Sequence, residues 1–278
     1  MTQYKTISTI ASALTSKPVD DDSNETFFKC DEIPLKGKTE DESRELTNFS
    51  SNHYEIWYPK PVECQATETS HSDLLSGVYE GGLKIWECTQ DLADFLTKSD
   101  DDTEKTLLAD FEGKRILDLG CGVGVLGVLA MTHNAKCVTF QDYNKEVIET
   151  TTISTILCNK SIYEEMDLNN VNLFSGDWDS FVDVMKEKHA GTKFDYILTS
   201  ETIYNEKYYK KLLNVFRELL ADDGTVFLAA KTIYFGVGGG MRSFEKALTD
   251  TKEFKSDVVW KSEVGVLREI LKINKISS

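Results

Sequence analysis

The residues best suited to chemistry are a glycine-rich loop and the carboxylates around it. In the stretch DLGCGVGVLG, from Asp118 to Gly127, an apolar strand ends, glycines permit a tight turn, and a helix begins. Gly122, Gly124 and Gly127 match the dinucleotide pattern GxGxxG, and Asp142 follows about 20 residues later, where an acid binds ribose. The loop predicts a nucleotide-like cofactor, and this pattern alone leaves a nicotinamide dinucleotide as an alternative.

The position of Asp118 favours a different cofactor. Its carboxylate would lie close to a pyrophosphate and repel it, whereas it suits the ammonium group of a methionine moiety, directly or through water, and suits a sulfonium cation. Asp177 and Trp178, just past the next predicted strand, offer an acceptor for an adenine amino group and an indole to stack on adenine. We therefore predict S-adenosylmethionine (SAM), with Asp118, Gly122, Asp142, Asp177 and Trp178 as contacts.

Three further segments are candidates for substrate handling. In TSETIY (199–204), Glu201 and Tyr204 follow directly after a predicted strand and could orient an incoming nucleophile. The segment 76–89 contains adjacent glycines that can approach a ligand and Trp86, which can cover one or simply fill the core. The glycines of 236–240 lack the Gly-Lys-Ser/Thr ending of a phosphate loop, so we expect a mobile loop that admits a peptide.

These residues need an alternating α/β framework to bring them together. Helical or strand-like spacing follows in order from residue 83 to the C-terminus, with strands predicted over 115–120, 137–142, 172–177, 194–200, 225–231, 257–261 and 266–274. Helices between the first five strands predict a mostly parallel, doubly wound sheet covered on both faces. The last two strands have no long helix between them and are expected to form an antiparallel edge hairpin.

Composition sets the domain organisation and the kind of partner. Residues 1–70 are rich in Ser, Thr and acids, which predicts a largely disordered acidic arm before a domain over 71–278, with Tyr54–Val62 packed on that domain. The net charge of −16 argues against direct nucleic-acid binding and fits a basic protein partner. No apolar run spans a membrane, the scattered cysteines indicate reduced intracellular thiols, and no metal site or obligate oligomer is expected.

Several segments together resemble one family. SGVYEGGLKIWECT, ILDLGCGVGVLG, FQDYN, FSGDW, ILTSETIYN and AKTIYFGVGGG resemble the histidine protein methyltransferase 1 homologues, in the same order and from about residue 72 onward. The resemblance implies a seven-stranded, Rossmann-like class I methyltransferase, in agreement with the strands above. It also implies transfer of a methyl group from SAM to a histidine of large-subunit ribosomal protein three. Such a substrate is compatible with a cytoplasmic and nuclear protein, and the division between the two compartments stays open.

The resemblance also implies cofactor contacts. They fall on Ile85, Trp86, Glu87, Cys88, Thr89, Gly120, Gln141, Asp142, Tyr143, Gly176, Asp177, Trp178 and Ser200. Related lysine methyltransferases generally carry Asp-x-x-Tyr after the fourth strand, where this chain has Glu201 and Tyr204, which favours histidine. Lysine transfer, a NAD-dependent oxidoreductase and a ribosome assembly factor stay open as alternatives.

Overall fold

The fold is organised around a mostly parallel β-sheet with helices on both faces. The computed structural model describes residues 19–20, 26–39, 43–61, 81–99 and 105–276. In chain order the strands are β1 (Val19–Asp20), β2 (Thr26–Phe27), β3 (Asp31–Glu32), β4 (Leu46–Ser51), β5 (Tyr54–Pro59), β6 (Arg115–Leu119), β7 (Cys137–Asp142), β8 (Val171–Ser175), β9 (Phe194–Ser200), β10 (Leu220–Lys231), β11 (Phe254–Lys261) and β12 (Arg268–Lys275).

The helices connect these strands. They are α1 (Glu87–Thr97), α2 (Val125–Met131), α3 (Lys145–Val147, continued by the π-helical turn Ile148–Thr152 and by Ile153–Lys160), α4 (Trp178–Lys188), α5 (Tyr209–Leu219) and α6 (Met241–Thr251). The predicted helices after β6, β7, β8 and β9 are confirmed. Helix α6 is missing from the prediction, although the buried Met241, Phe244 and Leu248 recur at helical spacing.

Strand order confirms the predicted architecture. The eight-stranded sheet runs β11-β12-β10-β9-β6-β7-β8-β3, and the pairs from β10 to β8 are all parallel. Strand β12 is antiparallel to both of its neighbours, which confirms the edge hairpin. The additional strand β3 pairs antiparallel with β8 and comes from the segment predicted to be an arm.

Both faces of the central strands are buried, which explains their continuous apolar sequence. On β6, Ile116 packs into the core cluster that contains α1, α2 and α3, while Leu117 and Leu119 pack into the cluster that contains α4, α5 and α6. Successive side chains of a strand point to opposite faces. The sheet is therefore a rigid platform whose strand ends position the loops.

The described part of the predicted arm belongs to the folded body. Phe49 and Ile56 are buried in the core, the Trp57 N–H donates to Asn159 Oδ1 at 3.0 Å, and the Tyr163 hydroxyl donates to the Glu55 carbonyl at 2.8 Å. Strand β5 thus packs on α3, as expected for Tyr54–Val62. The expected disorder is not seen in β3, which pairs with β8, or in β4 and β5, which pair with each other and bury Phe49 and Ile56 in the core. Residues 1–18, 21–25, 40–42 and 62–70 lie outside the described chain.

No helix in the described part of the chain is long and apolar enough to cross a membrane.

Candidate active site

A cleft opens at the carboxyl ends of β6, β7 and β9 and encloses about 1160 Å³ of space, part of it open to solvent. Ligands bind at this edge in doubly wound sheets, so the cleft is the candidate binding site. The predicted residues that line the cleft are Ile85, Trp86, Thr89, Gly120, Gly122, Asp142, Tyr143, Asp177, Trp178, Ser200, Glu201 and Tyr204. Glu87, Cys88, Asp118, Gln141 and Gly176 do not line it.

The floor of the cleft is the glycine loop between β6 and α2. Gly120 and Gly122 have φ values of 67° and 51°, a conformation that side chains rarely adopt. A Cβ on Gly122 would lie 2.9 Å from the Gly82 carbonyl oxygen, so two glycine segments approach each other closely here. Asp142 Oδ2 accepts the Gly122 N–H at 2.9 Å and holds the loop against the end of β7. The backbone is shaped for close approach to a ligand.

Asp118 lies behind this loop and does not line the cleft. It is 1% exposed, and its Oδ2 accepts the Gly127 N–H at 2.8 Å. Burial, opposed by this hydrogen bond and reinforced by the charge of Asp142, raises the pKa of Asp118 to about 8. The residue therefore braces the turn from β6 into α2.

One wall of the cleft is held by a buried amide. Gln141 is fully buried, donates from Nε2 to the Gly176 carbonyl at 2.8 Å, and accepts the Trp178 indole N–H at 3.0 Å. Gln141 and Gly176 thus act through their neighbours and not by lining the cleft. The indole of Trp178 is fixed in orientation at the predicted adenine end.

Asp177, beside this indole, is already engaged within the protein. Its Oδ2 accepts the Asp179 N–H at the start of α4, and its Oδ1 pairs with Lys211 Nζ at 2.7 Å. Lys211 Nζ also lies 3.3 Å from the ring centroid of Phe27, a residue of β2 that lines the cleft. A described part of the supposed arm therefore contributes a wall of the site.

The opposite wall comes from the start of α1. The Trp86 indole donates to the Gly81 carbonyl at 3.1 Å, and the hydroxyls of Thr89 and Ser200 lie 2.7 Å apart. Cys88 is fully buried behind this wall, beside Glu201. Glu87 faces Lys231, with its Oε2 at 3.2 Å from Lys231 Nζ.

Glu201 is the most unusual residue of the site. It leaves β9 with a φ of 58°, a strained conformation for a residue with a side chain. Its Oε2 accepts a short hydrogen bond from the Tyr234 hydroxyl, and its Oε1 lies 3.8 Å from Lys231 Nζ. Among the described residues, Oε1 is a buried oxygen without a hydrogen-bond donor. Such an atom is costly unless a ligand supplies the donor.

Burial and the charge of Glu201 change the pKa values of the neighbouring Tyr234 and Lys231. Burial, and then the charge of Glu201, raise the pKa of Tyr234 well above its usual value, so that its hydroxyl stays protonated and donates. Burial acts to lower the pKa of Lys231, but Glu201 and Glu87 outweigh it and raise this pKa. Lys231 is therefore a permanent cation between two carboxylates.

Sequence reasoning missed several residues of the cleft. Lys231 and Tyr234 stand in the AKTIYFGVGGG stretch, whose resemblance marked the segment without assigning its side chains. Phe27 and Lys211 gave no signal, because one lies in an acidic segment and the other on a helix with two other lysine or arginine residues.

The strand order and the cleft at its carboxyl edge define a class I methyltransferase. A crystal structure described as a methyltransferase complexed with SAH superposes with a TM-score of 0.54 at 15% identity, covering 84% of this chain and 57% of that chain. At this identity the similarity concerns the fold alone.

Residues 74–235 match the family model described as lysine methyltransferase, and the chain belongs to this family. The predicted resemblance to the histidine branch is confirmed. The histidine protein methyltransferase 1 homologue of Bos taurus is 41% identical over 224 residues, covering 74% of this chain and 58% of the relative. That of Dictyostelium discoideum is 42% identical over 209 residues, covering 74% and 62%. The chain spans about three fifths of the length of these relatives.

Proposed function

We propose that this chain is a SAM-dependent protein methyltransferase that modifies a histidine side chain. The observation that carries the proposal is the buried Oε1 of Glu201, an acceptor without a donor among the described residues, on a side chain that lines the cleft. Similarity to histidine protein methyltransferases supports histidine as the residue that is methylated.

The residues that line the cleft support SAM as the cofactor. Gly120 and Gly122 permit close approach, Asp142 can accept ribose hydroxyls, and Trp178 offers an oriented ring for adenine. When bound, SAM supplies a methyl group on a sulfonium sulfur. The family match leaves no support for a nicotinamide dinucleotide.

A histidine ring needs little activation at this site. Imidazole has a pKa near ~6.5, so most rings are neutral at pH 7 and carry an available lone pair on one nitrogen. Glu201 Oε1 accepts the N–H of the far nitrogen, which fixes the tautomer and presents the near nitrogen. Methylation leaves a positive charge on the ring, which the carboxylate stabilises. Tyr204, which lines the cleft beside Tyr234, helps to orient the ring.

Lysine is the second candidate because the family model carries that name. Lys231 Nζ lies 3.8 Å from the same carboxylate oxygen, so a substrate ammonium would meet a resident cation there. A neutral imidazole does not meet this repulsion.

The proposed substrate is a histidine of large-subunit ribosomal protein three, met in the cytoplasm or nucleus. The net charge of −16 supports a basic partner of this kind, because opposite charge accelerates encounter.

The test is transfer of labelled methyl groups from SAM into a lysate of cells that lack the enzyme, followed by acid hydrolysis. We expect methylhistidine on a protein of ribosomal size, and no label with Glu201→Ala. Label in methyl-lysine would select the second candidate. Absence of label would favour a role as an assembly factor. In that case, a variant that cannot transfer methyl groups should still restore ribosome production in cells that lack the protein.

A further inference from the structure

Exposed apolar side chains concentrate beside the mouth of the cleft. Of the eight large hydrophobic side chains exposed in the described chain, six lie on two short segments. Phe235 is 85% exposed and Val264 is 81% exposed, the two highest values. We call these six residues the apolar rim: Ile233, Phe235, Val237, Val264, Val266 and Leu267.

The two segments of the apolar rim are neighbours in space. One follows β10 and the other is the turn between β11 and β12, and the Thr232 N–H donates to the Leu267 carbonyl at 2.8 Å. Lys231 and Arg268 are paired in the sheet directly beneath them. Both segments therefore extend from the edge of the sheet where the cleft opens.

Backbone hydrogen bonds hold the first segment against the active site. The Tyr234 N–H donates to the Gly239 carbonyl at 3.0 Å, and the Gly239 N–H donates to the Tyr204 carbonyl at 2.9 Å. Between the exposed Ile233 and Phe235, Tyr234 turns inward, lines the cleft and donates to Glu201. The apolar rim is thus a continuation of the wall that carries Glu201.

We propose that the apolar rim binds an apolar stretch of the protein substrate next to the residue that enters the cleft. This inference rests on the proposed function. Contiguous exposed apolar surface marks an interaction site, and here it lies where a polypeptide must pass to reach Glu201. A second copy of this chain is a poor occupant, because a partner on the apolar rim would cover the mouth of the cleft. Nucleic acid is disfavoured by the net charge of −16.

The experiment measures steady-state methyl transfer to the protein that receives label in the lysate assay. Phe235→Ser, Val264→Ser and the double variant are compared with wild type, and SAH affinity is measured in parallel by calorimetry. The matched control is Ile162→Ser, because Ile162 is an exposed apolar residue that follows α3 and lies outside the apolar rim.

We expect KM for the protein substrate to rise about tenfold in each single variant and further in the double variant, as loss of a buried apolar contact predicts. The kcat at saturation, the SAH affinity and the Ile162→Ser control should stay near wild type. Unchanged KM in the double variant would overturn the inference while leaving the proposed function intact. A wild-type dimer that Phe235→Ser converts to monomer would assign the surface to self-association instead. Absence of transfer by wild type would remove the proposed function and this inference with it.

Discussion

The Tyr234 hydroxyl donates to Glu201 Oε2 and so fixes which carboxylate oxygen is left for a ligand. The two residues are 33 positions apart and lie in the loops after the adjacent parallel strands β10 and β9. Oε2 accepts this hydrogen bond, and the buried Oε1 is the carboxylate oxygen that lacks a hydrogen-bond donor among the described residues. Tyr234 is a positioning residue for Glu201.

Removing this hydroxyl should slow transfer without weakening cofactor binding. We expect Tyr234→Phe to lower kcat about tenfold, because loss of a hydrogen bond to a charged group frees Glu201 to rotate. The affinity for SAH should not change. The control is Tyr163→Phe, which removes a hydroxyl bonded to the Glu55 carbonyl on the surface. An unchanged kcat in Tyr234→Phe would show that Tyr234 does not position the carboxylate.

The strained backbone at Glu201 should separate stability from activity. Glu201→Gly and Glu201→Ala both lose the carboxylate, and both should lose at least about a hundredfold in kcat. Glycine tolerates a φ of 58°, so the glycine variant should be more stable than the alanine variant by about 1 kcal/mol in thermal unfolding. The neighbouring Thr202 has no positive φ and serves as the control: there, the Thr202→Ala variant should be more stable than the Thr202→Gly variant. Equal stability of the two Glu201 variants would argue against strain at this position.

The buried amide of Gln141 should control cofactor affinity from outside the cleft. In Gln141→Met, the Trp178 N–H and the Gly176 carbonyl lose their partner, and we expect SAH affinity to fall about tenfold together with some loss of stability. Asn274→Leu is the matched control. Asn274 donates to the Gly224 carbonyl at the far end of β10, so that variant should lose stability but keep SAH affinity. Equal SAH affinity in both variants would contradict the positioning of Trp178.

Asp118 should make the stability of the ligand-free protein depend on pH. Its folded pKa of about 8 lies above its ordinary value of 3.8, so between these pH values the folded state binds more protons than the unfolded state. The contribution of Asp118 to the free energy of unfolding therefore falls as pH rises through that window, by up to about 1.4 kcal/mol per pH unit. Asp118→Asn keeps an acceptor for the Gly127 N–H and should flatten the decline in melting temperature from pH 5 to pH 8. An identical pH slope in wild type and variant would show that Asp118 is ionised in the folded state.

The fold was accessible from the sequence because its signals are local. Buried parallel strands are continuous apolar runs, glycines mark the turn after β6, and amphipathic helices repeat every three or four residues. Helix α6 carries the same signal in Met241, Phe244 and Leu248, but only three apolar positions mark it and it directly follows a glycine-rich loop. Strand β3 has only two residues and no pattern, so its pairing with β8 was not predictable.

The sequence by itself determined the sheet, the cleft at its carboxyl edge and half of the residues that line that cleft, since strand ends and glycine turns depend on neighbouring residues. Only the tertiary structure decided what each polar side chain faces. It placed Asp118 behind the glycine loop, Gln141 behind Trp178, and Tyr234 and Lys231 on Glu201. These contacts join residues up to 37 positions apart, and no local pattern specifies the partner of a buried polar group.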